Sequence, residues 1–529
     1  MSEAVTQTAR ARLQPKPKKP AGLRQAMAGL HTWTGLLAGW LLYAVFLTGT
    51  VSYYRDDISA WMRPELASPH AVQPAADVVE RIAAQLARIA PDSPQWFIGT
   101  PDSRATTARA LWRDGARFTE SAFDPATGQR VTVRDTRGGD FFYGFHFNLY
   151  YMPPVWGRWI VGVLAMFMLV SIVSGIITHK KLLADFFTFR RGKGQRSWLD
   201  AHNAFSVLAL PFHLMITYTG LVTLALLYMP WGVQAAFPTP QARTAALSQI
   251  NAFVPPGKRS GHRAPLYALG PMVRAAERRW GSASIGNVIV TLPGDAAARV
   301  LVSRGDTDRV STSPQFLLFD GTNGRLLRAQ DSVAPAAETR GVLYALHVGR
   351  FADTTTRALY FLLGLAGTAM VGTGLVMWTV KRRAKFDDPG RPPVGFRLVE
   401  RLNIATIAGL PLAMSVFLWA NRLLPSMLPG RAEWEVRCFF IAWSAAWLYA
   451  TFRLPKRGWI ELLTGAALSC LLLPLLDLVT MHGLLFTRLR EGDARFVCFD
   501  LALSGFGLLF AKLAIRAARS HAAVRARQT

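Results

Sequence analysis

Long apolar runs alternate with short polar loops over most of this chain. Eight of the runs are long enough to cross a bilayer, whose hydrocarbon core takes about 20 residues of helix. They begin near Trp33, Val155, Ala204, Ala358, Ile404, Phe439, Leu462 and Cys498. The pattern predicts a membrane all-α bundle of about eight transmembrane helices.

Two long polar connections interrupt this series, at residues 55–145 and 230–345. Each contains a stretch with helical periodicity (75–89 and 271–280), followed by short runs typical of β-strands. Each also contains an aspartate followed four residues later by a glycine, Asp124 with Gly128 and Asp320 with Gly324. This combination favours a turn, because glycine adopts positive φ freely. Each connection is therefore predicted to form a small α+β domain.

The charge distribution predicts how the chain is oriented. The formal net charge is +27, and the basic residues cluster in short loops between the apolar runs. With the N-terminus in the cytoplasm, the segments 1–30, 179–200, 381–401, 453–458 and 512–529 hold 6, 6, 7, 3 and 5 Lys and Arg residues. We therefore expect a protein of the bacterial inner membrane with both termini in the cytoplasm and both polar domains outside. A basic face with interleaved aromatic residues is absent, which argues against a nucleic-acid partner. The partner that we expect is the lipid bilayer.

These patterns divide the chain into an ordered series of segments. The N-terminus is expected to be a basic cytoplasmic segment, and the first apolar run, which has no cleavage site, a retained helix. The predicted segments are the N-terminus (1–30), span 1 (31–54), the first outer domain (55–145), span 2 (155–178), a cytoplasmic loop (179–200), span 3 (202–229), the second outer domain (230–345), span 4 (356–380), a second cytoplasmic loop (381–401), four additional spans (402–515) and a cytoplasmic tail (516–529).

The first four spans and the two outer domains repeat one order of features. His31 with Thr48 and Gly49 matches His202 with Thr219 and Gly220, both at an offset of 171 residues. His146 before span 2 corresponds to His347 before span 4. Ser174 and Gly175 correspond to Thr373 and Gly374. Residues 25–383 are therefore interpreted as a duplicated unit of span, outer domain and span.

The same residues resemble the PepSY-associated transmembrane family. The motifs that carry the resemblance are Leu30-His31-Thr32-Trp33 with Thr48-Gly49, the turn at 123–130, Thr178-His179-Lys180-Lys181, the segment 197–203, Leu210-Pro211-Phe212-His213, and Leu346-His347 with Thr373-Gly374. The resemblance covers about residues 25–383 and implies that the outer domains are PepSY-like. Some members are similar to inner-membrane reductases of ferric siderophores that hold b-type haems between their helices. Others are known only as iron-regulated, and the domain name comes from a proposed peptidase-inhibitor role.

Six of the ten histidines are candidate ligands of haem iron. His31, His179 and His202 are expected at the cytoplasmic edge of their spans, and His146 and His347 at the outer edge. His213 follows His202 by eleven residues, about 16 Å along a helix, which would place both on one face. The pairs predicted by the repeat are His31 with His202 at the inner edge and His146 with His347 at the outer edge. Two alternatives stay open: His179 can lie opposite His31 or His202, and His213 can reach the outer haem. The remaining four, His70, His262, His482 and His521, are expected to be solvated.

Imidazole is an axial ligand of haem iron, and apolar helices provide the walls that a haem needs. The alternative for the edge histidines is an amphipathic anchor, like the tryptophans at the same depth. Copper and zinc also bind histidine, but no Cys, Met or carboxylate cluster accompanies these residues. Two layers of histidines favour two b-type haems.

The two layers of histidines lead us to expect transmembrane electron transfer through haem to a substrate on the outer face. The family resemblance implies that this substrate is ferric siderophore iron in iron uptake and that the protein is a haem-dependent reductase. The sequence contains no recognisable NAD(P)H or flavin site, so electrons are expected from quinol or from a separate cytoplasmic reductase. The alternative is a non-redox transporter or an envelope regulator that uses its outer domains to bind peptide or protein.

Overall fold

The computed structural model describes residues 22–66, 73–115, 117–179, 194–250, 257–282, 284–388, 391–481, 484–490 and 492–525. Most of the basic N-terminus, much of the loop predicted at 179–200, His70 and His482 lie outside these residues. The side chain of His521 is also outside the described part of the chain.

Helices make up most of the described residues. In chain order they are α1 (Leu23–Ser52), α2 (Arg55–Trp61), α3 (Ala75–Ile89), α4 (Asp140–Asn148), α5 (Pro154–Thr178), α6 (Gln195–Leu208), α7 (Leu210–Thr223), α8 (Ala225–Tyr228), α9 (Pro230–Ala236), α10 (Pro240–Ile250), α11 (Leu269–Trp280), α12 (Pro335–Val348), α13 (Thr354–Arg383), α14 (Val394–Ile407), α15 (Gly409–Leu423), α16 (Arg431–Phe452), α17 (Pro455–Thr480), α18 (Leu484–Arg490) and α19 (Arg495–Arg525).

Six helical segments of the described chain are long and apolar enough to cross a membrane, or seven if the bent pair α6 and α7 forms one span. The expected count of eight is therefore not confirmed. The helix left over is α16, which has 22 residues and is long enough. Its first two turns carry Arg431, Glu433, Glu435 and Arg437, and these charges lower its mean hydropathy.

The third span is broken near its middle. The axes of α6 and α7 differ by 68°, with Ala209 at the break. Pro211 causes the break, because its ring disfavours helical conformation in the residue before it and Pro has no N–H to bond to the preceding turn. The sequence placed His202 and His213 on one face of a continuous helix, and the bend shows that this was wrong.

A closed ring is formed by helices α1, α5, α6, α7 and α13. Helix α1 packs against α5 and α13, α6 packs against α13, and α7 packs against α5. Glycines permit close approach in this ring: a Cβ atom on Gly364 would lie 2.4 Å from the hydroxyl of Thr50, and one on Gly39 would lie 2.6 Å from Leu375. Gly364 of α13 and Gly39 of α1 thus allow close packing of these two helices.

The eight strands found among the described residues form one antiparallel sheet. They are β1 (Gln95–Gly99), β2 (Ala108–Asp114), β3 (Arg117–Phe123), β4 (Arg130–Val131), β5 (Ile285–Thr291), β6 (Arg299–Arg304), β7 (Phe316–Asp320) and β8 (Leu326–Gln330), in the spatial order β4-β3-β2-β1-β5-β6-β7-β8. Each polar connection supplies one helix and a four-stranded meander. The sequence predicted two separate domains, whereas the structure joins them edge to edge through β1 and β5.

The join is a short antiparallel pairing with apolar side chains. Trp96 lies opposite Val290, and Ile98 lies opposite Val288. Helices α3 and α11 pack against each other, and their buried residues share one core with the strands. Burial of this common apolar core stabilises the two units as one body.

The two predicted aspartate–glycine turns are confirmed. Gly128 and Gly324 have φ angles of +71° and +73°, and each donates its N–H to the carbonyl of the aspartate four residues earlier. The side chain of Asp124 accepts from the N–H of Ala126, and that of Asp320 accepts from the N–H of Thr322. Positive φ explains why glycine occupies the same place in both turns.

Arg350 connects the sheet to the bundle. It lies in the loop between α12 and α13 and forms ion pairs with Asp56 of α2 (3.4 Å), Asp102 of the first unit (2.9 Å) and Asp306 of the second unit (2.8 Å). Arg104 of the first unit donates to the carbonyls of Gly349 and Ala352 in the same loop, each at 2.8 Å. Both units are therefore attached to the loop that follows α12.

The C-terminal helices bury ion pairs between them. Arg422 of α15 contacts Asp477 of α17 at 2.5 Å, and both side chains are 1% exposed. The guanidinium of Arg422 also lies 3.7 Å from the ring centre of Trp61 in α2. In α16, Arg431 pairs with Glu435 at 2.5 Å, again fully buried. Removing one partner of such a pair leaves an uncompensated buried charge.

Candidate functional site

Four of the six candidate histidines meet as two pairs inside the ring of helices. His31 of α1 and His202 of α6 have ring centres 6.1 Å apart, with ring planes at 71°. His146 of α4 and His347 of α12 have ring centres 6.0 Å apart, with planes at 28°. We call them the distal pair and the sheet-side pair, because His347 lies three residues before Arg350. These are the pairs that the sequence repeat predicted.

Each of the four rings is held by the backbone of another span. Its Nδ1 atom lies within hydrogen-bond distance of a carbonyl oxygen: Ser171 for His31 (2.8 Å), Met370 for His202 (2.9 Å), Val45 for His146 (2.8 Å) and Ile216 for His347 (3.0 Å). A carbonyl oxygen only accepts, so Nδ1 carries the proton and donates it. The lone pair is then on Nε2, the nitrogen that remains for a metal.

A glycine makes each of these contacts possible. The glycine lies four residues after the residue whose carbonyl accepts from the histidine, so in the helix its own N–H points at the same oxygen. A side chain at this position would therefore lie next to the histidine ring. A Cβ atom added to the glycine would lie close to Cε1 of the histidine: 2.6 Å for Gly49, 2.9 Å for Gly220, and 3.2 Å for both Gly175 and Gly374. We call each set of carbonyl residue and glycine a histidine seat.

A serine or threonine precedes the glycine in every seat. Its hydroxyl bonds back to the carbonyl four residues earlier, which satisfies it within its own helix: Thr48 to Ala44 (2.7 Å), Ser174 to Val170 (2.6 Å), Thr219 to Met215 (2.7 Å) and Thr373 to Ala369 (2.7 Å). The hydroxyl of Thr219 also lies 3.2 Å from Nδ1 of His347. The polar groups around the four rings are thus neutral backbone and hydroxyl groups.

The geometry of both pairs fits a haem iron. Imidazole–metal bonds are about 2 Å long, so two rings bound to opposite faces of one iron have centres separated by roughly 6 Å. Both pairs have this separation, and hydrogen bonds from the other ring nitrogen orient each ligand. Within the described residues, no cluster of three or more His, Cys, Asp or Glu side chains is placed to hold a metal ion. Two protein ligands suit a porphyrin, which supplies the other four nitrogens itself.

The other two candidate histidines are placed differently. His179 directly follows α5, half-buried, and lies near enough to the distal pair to interact electrostatically with His31 and His202. His213 is 1% exposed, and its ring contacts Phe46 and Phe212. Its Nε2 atom has no hydrogen-bond partner in the part of the chain that the structure describes. Of the histidines expected to be solvated, the described His262 is exposed.

Sequence reasoning missed the seats, although their signal was present. The Thr-Gly and Ser-Gly dipeptides marked the repeat, but the sequence analysis gave them no contact with the histidines. The informative pattern has two parts. A serine or threonine followed by a glycine faces inward on one span, and a histidine lies at the same depth on another helix. The ion pairs of the C-terminal helices were also missed.

A bundle of apolar helices beneath an antiparallel sheet defines a multi-pass membrane protein with an α+β region beside the bilayer. The chain matches the family model of the PepSY-associated TM region over residues 28–381. That match covers about two thirds of the 529 residues, so the chain belongs to this family, as the resemblance predicted. A search of the curated proteins finds no match. The family match ends before α14, so the C-terminal helices lie beyond it.

Proposed function

We propose that this protein transfers electrons across the bacterial inner membrane through two b-type haems and reduces a ferric siderophore at its extracytoplasmic face. The distal pair and the sheet-side pair would each hold one haem iron. Both termini would lie in the cytoplasm, and residues 25–383 would derive from duplication of one span–domain–span unit. The observation that carries the proposal is the occurrence of two imidazole pairs, each about 6 Å between centres and each held by two seats.

The two pairs lie at different depths of the bundle. His31 and Val45, which holds His146, are 14 residues apart in α1. That spacing corresponds to about 21 Å along the helix axis, a large part of a bilayer core of roughly 30 Å. A group at each level would carry charge most of the way across a barrier that ions cross only at great cost.

Each part of the chain has a role in this proposal. A bound haem supplies one-electron chemistry. The seats fix the tautomer and angle of each imidazole, and the apolar side chains of the ring exclude water. Neutral hydroxyl and carbonyl groups near the ligands avoid a fixed charge that would bias the potential. The electron donor would be quinol or a separate cytoplasmic reductase.

Alanine variants of the six candidate histidines test the ligand assignment. His31→Ala, His202→Ala, His146→Ala and His347→Ala should each lower the haem content per protein or convert one haem to a five-coordinate state. His262→Ala is the matched control and should leave content and low-spin spectrum unchanged. If His179→Ala or His213→Ala changes the spectrum and a member of a pair does not, the pairing is wrong.

One observation favours the alternative, a non-redox transporter. Transporters often break a helix where substrate binds, and α6 and α7 are broken at Ala209. The decisive measurement is the absorption spectrum of the protein purified after expression with added haem precursor. A Soret band with about two haems per chain supports electron transfer, whereas a colourless, folded protein supports the transporter.

A further inference from the structure

A cleft opens where the sheet meets the bundle. The cleft is open at its mouth, and four arginines line it together with a single acidic residue, Asp56. Arg104 and Arg109 come from the first outer unit, and Arg488 and Arg495 come from α18 and α19. Ala105, Thr106 and Thr107 form much of the remaining wall. The cleft therefore combines residues of the family region with residues of the C-terminal helices.

Backbone carbonyl oxygens orient Arg104 and Arg488, and one carboxylate, that of Asp493, is shared by Arg488 and Arg495. Arg104 donates to two backbone carbonyls, and Arg488 donates to the carbonyl of Pro64 at 2.8 Å and to that of Leu66. Asp493 pairs with Arg495 at 2.8 Å and with Arg488 at 3.4 Å. Carbonyl acceptors orient a guanidinium without cancelling its charge, so the preorganised donors retain an excess of positive charge.

The surroundings of Arg104 agree with a positive potential. Burial, with the neighbouring guanidinium groups of Arg357 and Arg350, lowers the pKa of Arg104 from its ordinary value. Arg109 is only loosely paired, since its nearest carboxylate oxygen, on Glu120, is 3.8 Å away. An anion entering the cleft would meet oriented N–H donors at low cost of side-chain ordering.

We propose that this cleft binds a carboxylate or phosphate group of an anionic ligand, and, resting on the proposed function, that the ligand is an anionic ferric chelate awaiting reduction. The cleft is small, so it takes one anionic arm while the rest of the chelate lies outside the mouth. Arg104 links the cleft to the loop that begins two residues after His347, which places the bound chelate beside the sheet-side pair.

The same chemistry would suit an anionic lipid headgroup, since the cleft lies at the first residue of α19, Arg495. A chelate is favoured because the sheet supplies half of the arginines, so the cleft opens beneath the outer units and not along the lipid-facing side of a span. The C-terminal helices, which the family region lacks, would then have a function: they complete the acceptor site with Arg488 and Arg495.

Binding of gallium(III) citrate tests the proposal without any electron transfer, because gallium(III) is not reduced under these conditions. Isothermal titration of the full-length protein should show binding that weakens as salt rises. Arg109→Gln should lower the affinity about tenfold, and Arg109→Glu should lower it further, since a charge-assisted hydrogen bond is removed. Arg113→Glu, on the same strand but exposed and outside the cleft, is the matched control and should change affinity by less than about twofold.

Four further outcomes separate the proposals. If Arg109→Glu and Arg495→Gln both fold, judged by unchanged thermal unfolding, and both bind gallium citrate like the unmodified protein, the cleft is not the site. Another result would be that gallium citrate binds only in nanodiscs that lack anionic lipid, and that anionic lipid raises the unfolding temperature of Arg109→Glu no more than a neutral lipid does. The chelate then competes with a lipid headgroup for these arginines, and the proposal stands. If anionic lipid alone binds, the chelate proposal is overturned. Normal chelate binding by a protein that never takes up haem would instead refute the proposed function and leave the cleft intact.

Discussion

The distal and sheet-side pairs share one seat design but are carried by different parts of the protein. His31 and His202 belong to α1 and α6, which are parts of the spans themselves. His146 and His347 belong to the short helices α4 and α12, which connect the sheet to the spans. The rings are crossed at 71° in the distal pair and nearly parallel at 28° in the sheet-side pair. The distal pair is therefore set by helix packing, and the sheet-side pair also by the sheet.

This difference is visible in the contacts that follow each ligand. After His347 the chain passes to Arg350, which binds carboxylates of both outer units. The hydroxyl of Tyr53, at the end of α1, also donates to the carbonyl of His347 at 3.4 Å. A change that disturbs the sheet should therefore alter the geometry of the sheet-side pair before it alters that of the distal pair.

The largest effect is expected from a methyl group added to a seat of the sheet-side pair. In Gly49→Ala the new Cβ would lie 2.6 Å from Cε1 of His146, whereas in Gly175→Ala it would lie 3.2 Å from Cε1 of His31. Overpacking costs about 1–3 kcal/mol, against a gain of about 1 kcal/mol in helix propensity. Gly49→Ala should lose most of one haem, and Gly175→Ala should keep both.

Haem content per chain and thermal unfolding in detergent measure this difference. Gly29→Ala serves as the control, because no atom lies within 4 Å of the position of its Cβ. Equal loss of haem in Gly49→Ala and Gly175→Ala would remove the distinction between the two pairs.

The second-largest effect is expected when the sheet is uncoupled from the bundle. Arg350→Leu removes three ion pairs and leaves Asp56, Asp102 and Asp306 without that partner. Because the Arg350 side chain is 19% exposed, the loss should be about 1–3 kcal/mol, below that of a fully buried pair. The spectrum of the sheet-side haem should broaden or shift while that of the distal haem is retained. Arg340→Leu on α12 is the control, and an equal change in both haems would contradict the coupling.

The ring angles predict two different low-spin signals. Nearly parallel imidazole planes would separate the energies of the iron d orbitals that interact with the rings, whereas crossed planes would leave those orbitals close in energy. Electron paramagnetic resonance of the oxidised protein should therefore show one rhombic signal and one highly anisotropic signal. His347→Ala should remove the rhombic signal alone, and His202→Ala the anisotropic one. Two identical rhombic signals would show that the angles are not kept when haem is bound.

The smallest effect concerns acid. Hydrogen bonds from the hydroxyl and the N–H of Thr322 hold the pKa of Asp320 below its ordinary value near 4. A lowered pKa contributes stability above the unfolded value, and this contribution is lost as pH falls from about 4 through the folded pKa. Asp320→Asn should therefore cost less than about 1 kcal/mol at neutral pH and flatten the acid side of the unfolding curve.

Thermal unfolding between about pH 6 and pH 3 tests this prediction, with the distal haem signal as the internal reference. Acid should disturb the sheet-side signal before the distal one. A curve for Asp320→Asn that keeps the slope of the unmodified protein would show that the turn does not titrate.

The sequence was informative about periodic features and much less so about how they combine. Hydropathy located the apolar helices, and the turns at Asp124 and Asp320 followed from glycine's backbone freedom. The joined sheet was not foreseen, because a strand edge carries no local signal of which other edge it meets. The count of eight spans is not confirmed, because the charges in the first two turns of α16 lower the mean hydropathy of that helix.

The histidine pairs were predicted because internal repetition relates residues that no local rule connects. The repeat could not reveal the seats, because every residue has a backbone carbonyl and the sequence does not mark which one accepts a hydrogen bond from a histidine. His213 shows the opposite limit: helical periodicity placed it with His202, and one proline in between changed the direction of the chain. The arginine cleft joins residues almost 400 positions apart, from Arg104 to Arg495, which only a fold can bring together.

The pairing of β1 with β5 has a consequence for biogenesis. Residues 95–99 find their partners only at 287–291, after spans 2 and 3 have been synthesised and inserted. Until then the first meander presents an open strand edge, the kind of surface that pairs with unrelated chains. In the proposed topology, completion of the sheet would report that the first three spans have entered the membrane in order, and a chain that stalls or inverts at span 3 would leave this edge unpaired.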